Sequence, residues 1–387
     1  MSKLQELITV YNRDKKPETF KEIVHEIQTC DMIYSAFSPI TKGHYVDYVN
    51  GAATAFIFSE KSFCEGFCKH IKAEGITVGI AECKKESRLS MFADYHRCGF
   101  ETVLVDNGQH RLQIELKDLI NIPDFDSMPE EERPVINPQL MMSANIFFQC
   151  LENKSVTPDK ELNLLVDTYK ARFLIPVKGE PENGKVTVPA LERNDGKKFV
   201  PFFTDSNEAK KYDAKKNFNF LPANFEQMKE FADAGETVVL NPFGFNFNIT
   251  KDTCEGMIAA SKMVPADNSG RAVIYTIERP DPVLIRKLSE LCDENGNVRR
   301  AFIKGVRKNG NNSVILVLDC GELEADETKA AVDAFSKRVK EVIEGSFEFF
   351  STRQNVGKLT SESTEPFFEV ITVDVSDTDD IGTEEAE

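Results

Sequence analysis

An internal repeat limits this chain to few folds. Thr102-Val103-Leu104-Val105 resembles Thr237-Val238-Val239-Leu240, and the residues that follow stay in register. Asp106 falls on Asn241, Leu112 on Phe247 and Ile114 on Ile249. Upstream, Phe92-Ala93-Asp94 matches Phe231-Ala232-Asp233 after a small insertion, and downstream Lys117-Asp118 matches Lys251-Asp252. Each copy runs as an apolar strand, breaks at a turn and returns with alternating polarity, which is the pattern of a hairpin. The turns are Asp106-Asn107-Gly108 and Asn241-Pro242-Phe243-Gly244. Helix, strand, helix and hairpin recur in the same order around both, which predicts duplication of one small α/β plan.

The repeat divides the chain. Residues 1–122 form a first module, and residues 123–139 a linker punctuated by Pro123, Pro129, Pro134 and Pro138 around Glu130-Glu131-Glu132. Residues 140–262 form a second module, 271–374 a third, and 375–387 an acidic disordered tail. The linker is expected to be extended. The expected fold class is α+β: three small mixed α/β sandwich domains, the first two related by internal duplication. In the first module, Phe20, Ile23, Val24 and Ile27 carry a helical stripe. Residues 31–37, 53–58 and 77–81 read as strands. Ser59 is expected to cap a helix that buries Phe63, Phe67 and Ile71. In the second, residues 171–177 and 198–204 read as strands, and Asn224 with Gln227 as a capping box. In the third, residues 298–306 and 314–318 pair across an Asn309-Gly310 turn, and a long amphipathic helix begins at Asp326.

Charge and cysteine usage exclude several function classes. The formal net charge of −17 repels phosphate backbones and anionic lipid, so neither nucleic acid nor membrane is an expected partner. No apolar run approaches the ~20 residues that span a bilayer, and the N-terminus shows no apolar secretion signal. Nine cysteines at irregular spacing do not make a disulfide framework, which predicts a reducing, cytoplasmic setting. The chain has no Trp, so no site here stacks ligands on an indole.

Residues in the second and third modules carry a family resemblance. Ala171-Arg172-Phe173-Leu174-Ile175-Pro176-Val177, Phe199-Val200-Pro201-Phe202-Phe203-Thr204-Asp205 and Leu240-Asn241-Pro242-Phe243-Gly244 with Ile249-Thr250 resemble the N-terminal domain of SseB, a family of bacterial proteins associated with enhanced serine sensitivity. Val298-Arg299-Arg300-Ala301-Phe302, Val317-Leu318-Asp319 and Pro366-Phe367-Phe368 are similar to the SseB C-terminal domain. The first module departs from the pattern, since Asp106-Asn107-Gly108 replaces Asn-Pro-Phe-Gly; it reads as a diverged copy. The family has no established enzymatic activity to carry over, which leaves the enzyme question open and leaning to no, and no cofactor is expected.

Few residues suggest chemistry. Cys64 and Cys68 lie four apart on one helix, with His96 and Cys98 further along, and all five histidines fall in the first module. These are the candidate metal ligands, but no second pair completes a zinc set, so buried structural thiols are the favoured reading. No phosphate-binding loop, dinucleotide turn, nucleophile elbow or His-Glu-x-x-His is present. Asn241-Pro242-Phe243-Gly244 is explained by turn chemistry, with Pro presetting one torsion and Gly tolerating positive φ. Phe243, Phe245 and Phe247 share one strand face and are expected in the core, or, if exposed, to form a partner surface. The leading expectation is a non-catalytic protein-binding or adaptor module. The alternative is a metal-binding or thiol-dependent enzyme or regulator centred on the Cys/His-rich first module.

Overall fold

The computed structural model describes residues 2–108, 110–182, 185–192, 196–213, 217–263, 273–277, 280–308 and 311–370. The Asn309-Gly310 turn and the acidic tail lie outside the described residues. The chain is α+β, as expected, with helices packed on several small mixed sheets. It divides into two compact units, residues 1–267 and 268–387.

The first unit contains two sheet systems with the same pairing order. In the first, Met32–Ser38 runs antiparallel to Gly79–Lys84, with Ile33 opposite Cys83, and antiparallel to Ala52–Phe58, with Tyr34 opposite Phe58. Ala52–Phe58 is parallel to Thr102–Val105, which turns into Leu112–Glu115. In the second, Phe173–Glu182 runs antiparallel to Asn219–Ala223, with Phe173 opposite Ala223. It meets the next strand only at a Leu174–Phe203 bridge. Lys198–Phe202 is parallel to Val238–Leu240, which turns into Phe247–Ile249. These registers place Ile33 with Phe173, Phe58 with Phe203, Val105 with Leu240 and Leu112 with Phe247.

One core underlies both systems. Ile57, Val103 and Val105 of the first share it with Phe173, Phe202 and Val238 of the second. The helix Pro138–Glu152, absent from the sequence reading, supplies Leu140, Met141, Met142 and Ala144 to that core. Gln149 on this helix accepts from the Val46 N–H at 3.1 Å and donates to the Val46 carbonyl at 2.9 Å, so it completes the backbone pairing of a strand edge. Gly99 ends the helix Arg88–Arg97 at φ 83°, and a Cβ there would meet the Pro138 carbonyl. The expected extended stretch 123–139 instead makes short 3-10 turns at Phe125–Ser127 and Glu130–Glu132 before Pro138 starts the helix. Proline suits a first helical turn, where its missing N–H has no partner to lose.

The second unit is a five-stranded sheet built around Arg300–Lys308 and Asn311–Asp319. Residues 315–318 are buried on both faces, as their unbroken apolar run predicts. Leu316 and Leu318 pack with Phe335, Val339 and Leu288 under the helices Ala325–Val342 and Pro282–Asn295. Ile315 and Val317 face Phe302, Val306 and Val356 on the other side.

Candidate functional site

The repeated hairpins begin with the same polar lock. Asn241 and Asp106 both take left-handed backbone, at φ 48° and 43°. Asn241 Oδ1 accepts from the Thr204 N–H at 3.0 Å, and its Nδ2 donates to Thr204 Oγ1 at 2.8 Å. Asp106 Oδ1 accepts from the Ser59 N–H at 2.8 Å, and Oδ2 from Ser59 Oγ at 2.6 Å. Each lock ties the hairpin to the residue just after the neighbouring strand, and the short polar side chain tolerates the left-handed torsion. This corrects the expected role of Ser59: its hydroxyl serves Asp106, and Glu60 is the N-cap residue of the helix Lys61–Ala73. It also corrects the role of Gly244. Its φ is not positive, and a Cβ there would lie 2.9 Å from Glu208 Oε2, so that carboxylate would have to shift.

A buried charge network runs behind the second lock. Thr204 Oγ1 accepts from Asn241 and donates to Asp205 Oδ2 at 2.9 Å. Arg97 reaches the same Asp205 oxygen at 2.5 Å, Asp94 at 2.8 Å and Glu208 at 3.8 Å. Lys211 pairs with Glu208 at 2.7 Å, and His44 Nε2 with Asp94 at 3.0 Å. Asp205 is 1% exposed and Glu208 3%. Burial works against the charge on Asp94, but the His44 hydrogen bond and the Arg97 charge outweigh it and hold the carboxyl below its usual range. On Glu208 burial wins over Lys211 and Arg97, and the carboxyl is raised. The network joins the helix Arg88–Arg97 to the helix Ser206–Tyr212. Its enclosure marks it as a tie within the unit. No sequence pattern announced it, because its members lie far apart along the chain.

Beyond the lock stands an aromatic stack. Tyr212 stacks on Phe203, Phe243 and Phe218, at ring separations of 5.6, 6.2 and 5.2 Å. Phe243 is 41% exposed and forms the outer end. The three hairpin phenylalanines therefore divide: Phe245 is buried and Phe247 half-buried against Phe148, while Phe243 faces solvent.

The thiols and imidazoles disperse. Cys64 and Cys68 are buried on the inward face of the helix Lys61–Ala73, where Phe63 and Phe67 had been expected beside Ile71. Phe63 is 39% exposed and Phe67 half-buried. The apolar thiols pack under the sheet, Phe67 packs against the same core on Phe56 and Phe58, and Phe63 is left exposed. Cys98 belongs to the other core, and His96 is half-buried with its imidazole lowered by burial. Among the described residues no group of three or more His, Cys, Asp and Glu side chains is placed to hold a metal ion. The Cys64 thiol, hydrogen-bonded to Cys68 and buried, is raised, and burial raises Cys98 and pushes Cys292 up to about 12. These three are protonated thiols at neutral pH and poor nucleophiles.

Residues 153–253 match the SseB protein N-terminal domain, and residues 268–369 match the SseB protein C-terminal domain. The chain belongs to the SseB family. The aromatic stack and the Asn241 lock lie within the SseB N-terminal domain, and the sheet of the second unit within the SseB C-terminal domain. Both matched stretches begin beyond residue 152, so the first sheet lies outside them. No curated protein matches the chain. Among solved structures it is similar to Tic22 from Plasmodium falciparum, at 9% identity over 62% of this chain and 98% of that one, with a TM-score of 0.17. No helix among the described residues is long and apolar enough to cross a membrane.

Proposed function

We propose that this SseB-family chain is a non-catalytic, cytoplasmic protein-binding or adaptor module, and that residues 1–122 are a diverged copy of its SseB N-terminal domain. The observation that carries the binding reading is the open aromatic stack of Phe203, Tyr212, Phe218 and Phe243. Aromatic rings anchored on a rigid hairpin are what protein interfaces use as energetic centres. The lock at Asn241 holds the hairpin, so Phe243 is presented with little conformational freedom left to lose. The net charge of −17 favours a protein partner over nucleic acid or an anionic membrane. The matching strand registers and the paired locks support the copy.

The test is co-purification of the intact chain at physiological salt, beside Phe243→Ala. The expected result is a partner recovered with the unmodified chain and reduced about tenfold with F243A, the loss of ~1.4 kcal/mol typical of a truncated anchor. Equal recovery by both chains, or no partner from either, overturns the reading.

A further inference from the structure

The first sheet has the frame of that aromatic stack but lacks its outermost ring. Phe58 and Phe67 lie 5.3 Å apart, in the places that Phe203 and Tyr212 hold at 5.6 Å. Counting on from Asp106 and Asn241 at equal spacing, Gly108 stands where Phe243 stands. Counting on from Ser59 and Thr204, Gly66 stands where Lys211 stands. The result is a cleft of about 440 Å³, lined by Phe58, Phe63, Phe67, Asp106, Gly108 and His110 among others. Pockets of ~300–1,000 Å³ are the usual size for a bound group.

Neither glycine is required by its own surroundings. A Cβ at Gly108 or at Gly66 would meet nothing within 4 Å, and neither residue has positive φ. Gly66 lies inside the helix Lys61–Ala73, where glycine is ~1 kcal/mol less favourable than alanine. What both do is leave the cleft open. Three of the polar groups around it already have partners, and Ser62 and Asn107 also line it. Asp106 is held by Ser59, His110 Nδ1 lies 3.0 Å from Thr9 Oγ1, and His70 pairs with Glu74 at 3.2 Å. The surface left for recognition is mainly aromatic, with Ser62 and Asn107 beside the rings.

We propose that this cleft binds an aromatic side chain of a polypeptide partner, which takes the position that Phe243 fills from within the chain in the second sheet. The choice of a polypeptide follows from that internal occupant: a phenylalanine ring delivered by a backbone turn at the hairpin tip. Stacked or edge-on rings contribute ~0.5–1.5 kcal/mol beyond their area, and the cleft has room for a flanking side chain as well. This site is separate from the exposed Phe243 surface, so either can fail alone.

The experiment selects random displayed peptides on the full chain and counter-selects them on Gly108→Phe, which fills the cleft from the hairpin. Selected peptides are then titrated against the unmodified chain, G108F and F243A. Because the chain has no Trp, a Trp-bearing peptide reports its own binding by fluorescence without background. Expected are peptides sharing an aromatic residue that bind the unmodified chain and F243A alike, and G108F at least about tenfold more weakly. Thermal melting checks that G108F is folded, and Gly66→Leu fills the cleft from the helix side if it is not. No enrichment over G108F, or equal binding by the filled variants, overturns the proposal. Loss of binding on F243A alone moves the binding to the other hairpin and also overturns it. N-acetyltryptophanamide binding as tightly as the peptides would assign the cleft to small aromatic molecules instead.

Discussion

The two sheet systems of the first unit share their strand registers and hairpin locks but differ in how the hairpin end is finished. In the second, Phe243 closes the stack on Tyr212; in the first, Gly108 leaves the equivalent end open over Phe67. The backbone frame is set by strand pairing and by one short polar side chain in left-handed conformation. Side-chain volume at the hairpin position, and at Gly66 on the helix beside it, then sets whether the frame ends in a protruding ring or a cleft. A second difference is in the lock itself. Asn241 passes its hydrogen bonding through Thr204 into a network of buried charges, whereas Asp106 leads through Ser59 to Gln5 and Glu60.

The largest effect should come from cutting the tie between the two systems. Arg97→Met leaves Asp205 and Glu208 buried without their guanidinium, which costs ~3–5 kcal/mol for a buried pair broken from one side. Denaturant unfolding should show the loss. If the sheets are one cooperative body the transition stays single and shifts; two separated transitions would break that view.

Next are the locks. Asn241→Ala removes two buried hydrogen bonds, leaves Thr204 groups unmet and puts alanine at positive φ, together ~2–4 kcal/mol. Asp106→Ala should cost less, ~1–3 kcal/mol, because its carboxyl is raised by burial and its partner Ser59 is only half-buried. Equal costs for the two substitutions would remove the energetic distinction between the hairpins.

The smallest effect is the pH dependence of Glu208. Burial raises its carboxyl in the folded chain, so the native state holds the proton more tightly than the unfolded chain. Its contribution is fully present below the ordinary carboxyl range and is lost as pH rises through the raised value. Asp94 acts in the opposite direction and in a lower window, since its depressed carboxyl stabilises above the ordinary range and loses that effect on acidification. Above the ordinary carboxyl range, Glu208→Gln should therefore flatten the fall in stability, by less than ~1.4 kcal/mol per pH unit, the limit for one proton. Parallel stability curves for the two chains would rule out Glu208 as the source.

The sequence by itself determined the hairpins, the family and the fold class. Alternating apolar strands around Asp106 and Asn241, and the capping box at Asn224 and Gln227, are local patterns, and local patterns persist in the folded chain. The helix Pro138–Glu152 has only a weak apolar stripe in the sequence because its buried residues join the core shared by both sheets. The helix Lys61–Ala73 turns Cys64, Cys68 and Ile71 inward with Phe67 packed beside them on Phe56 and Phe58, and leaves Phe63 exposed. Only the tertiary structure decided that Arg97 meets Asp205, that Phe243 separates from Phe245 and Phe247, and that Gly66 and Gly108 border one cleft. Those facts depend on contacts between residues tens of positions apart. Such contacts are set by how helices pack on sheets, and no run of neighbouring residues records them.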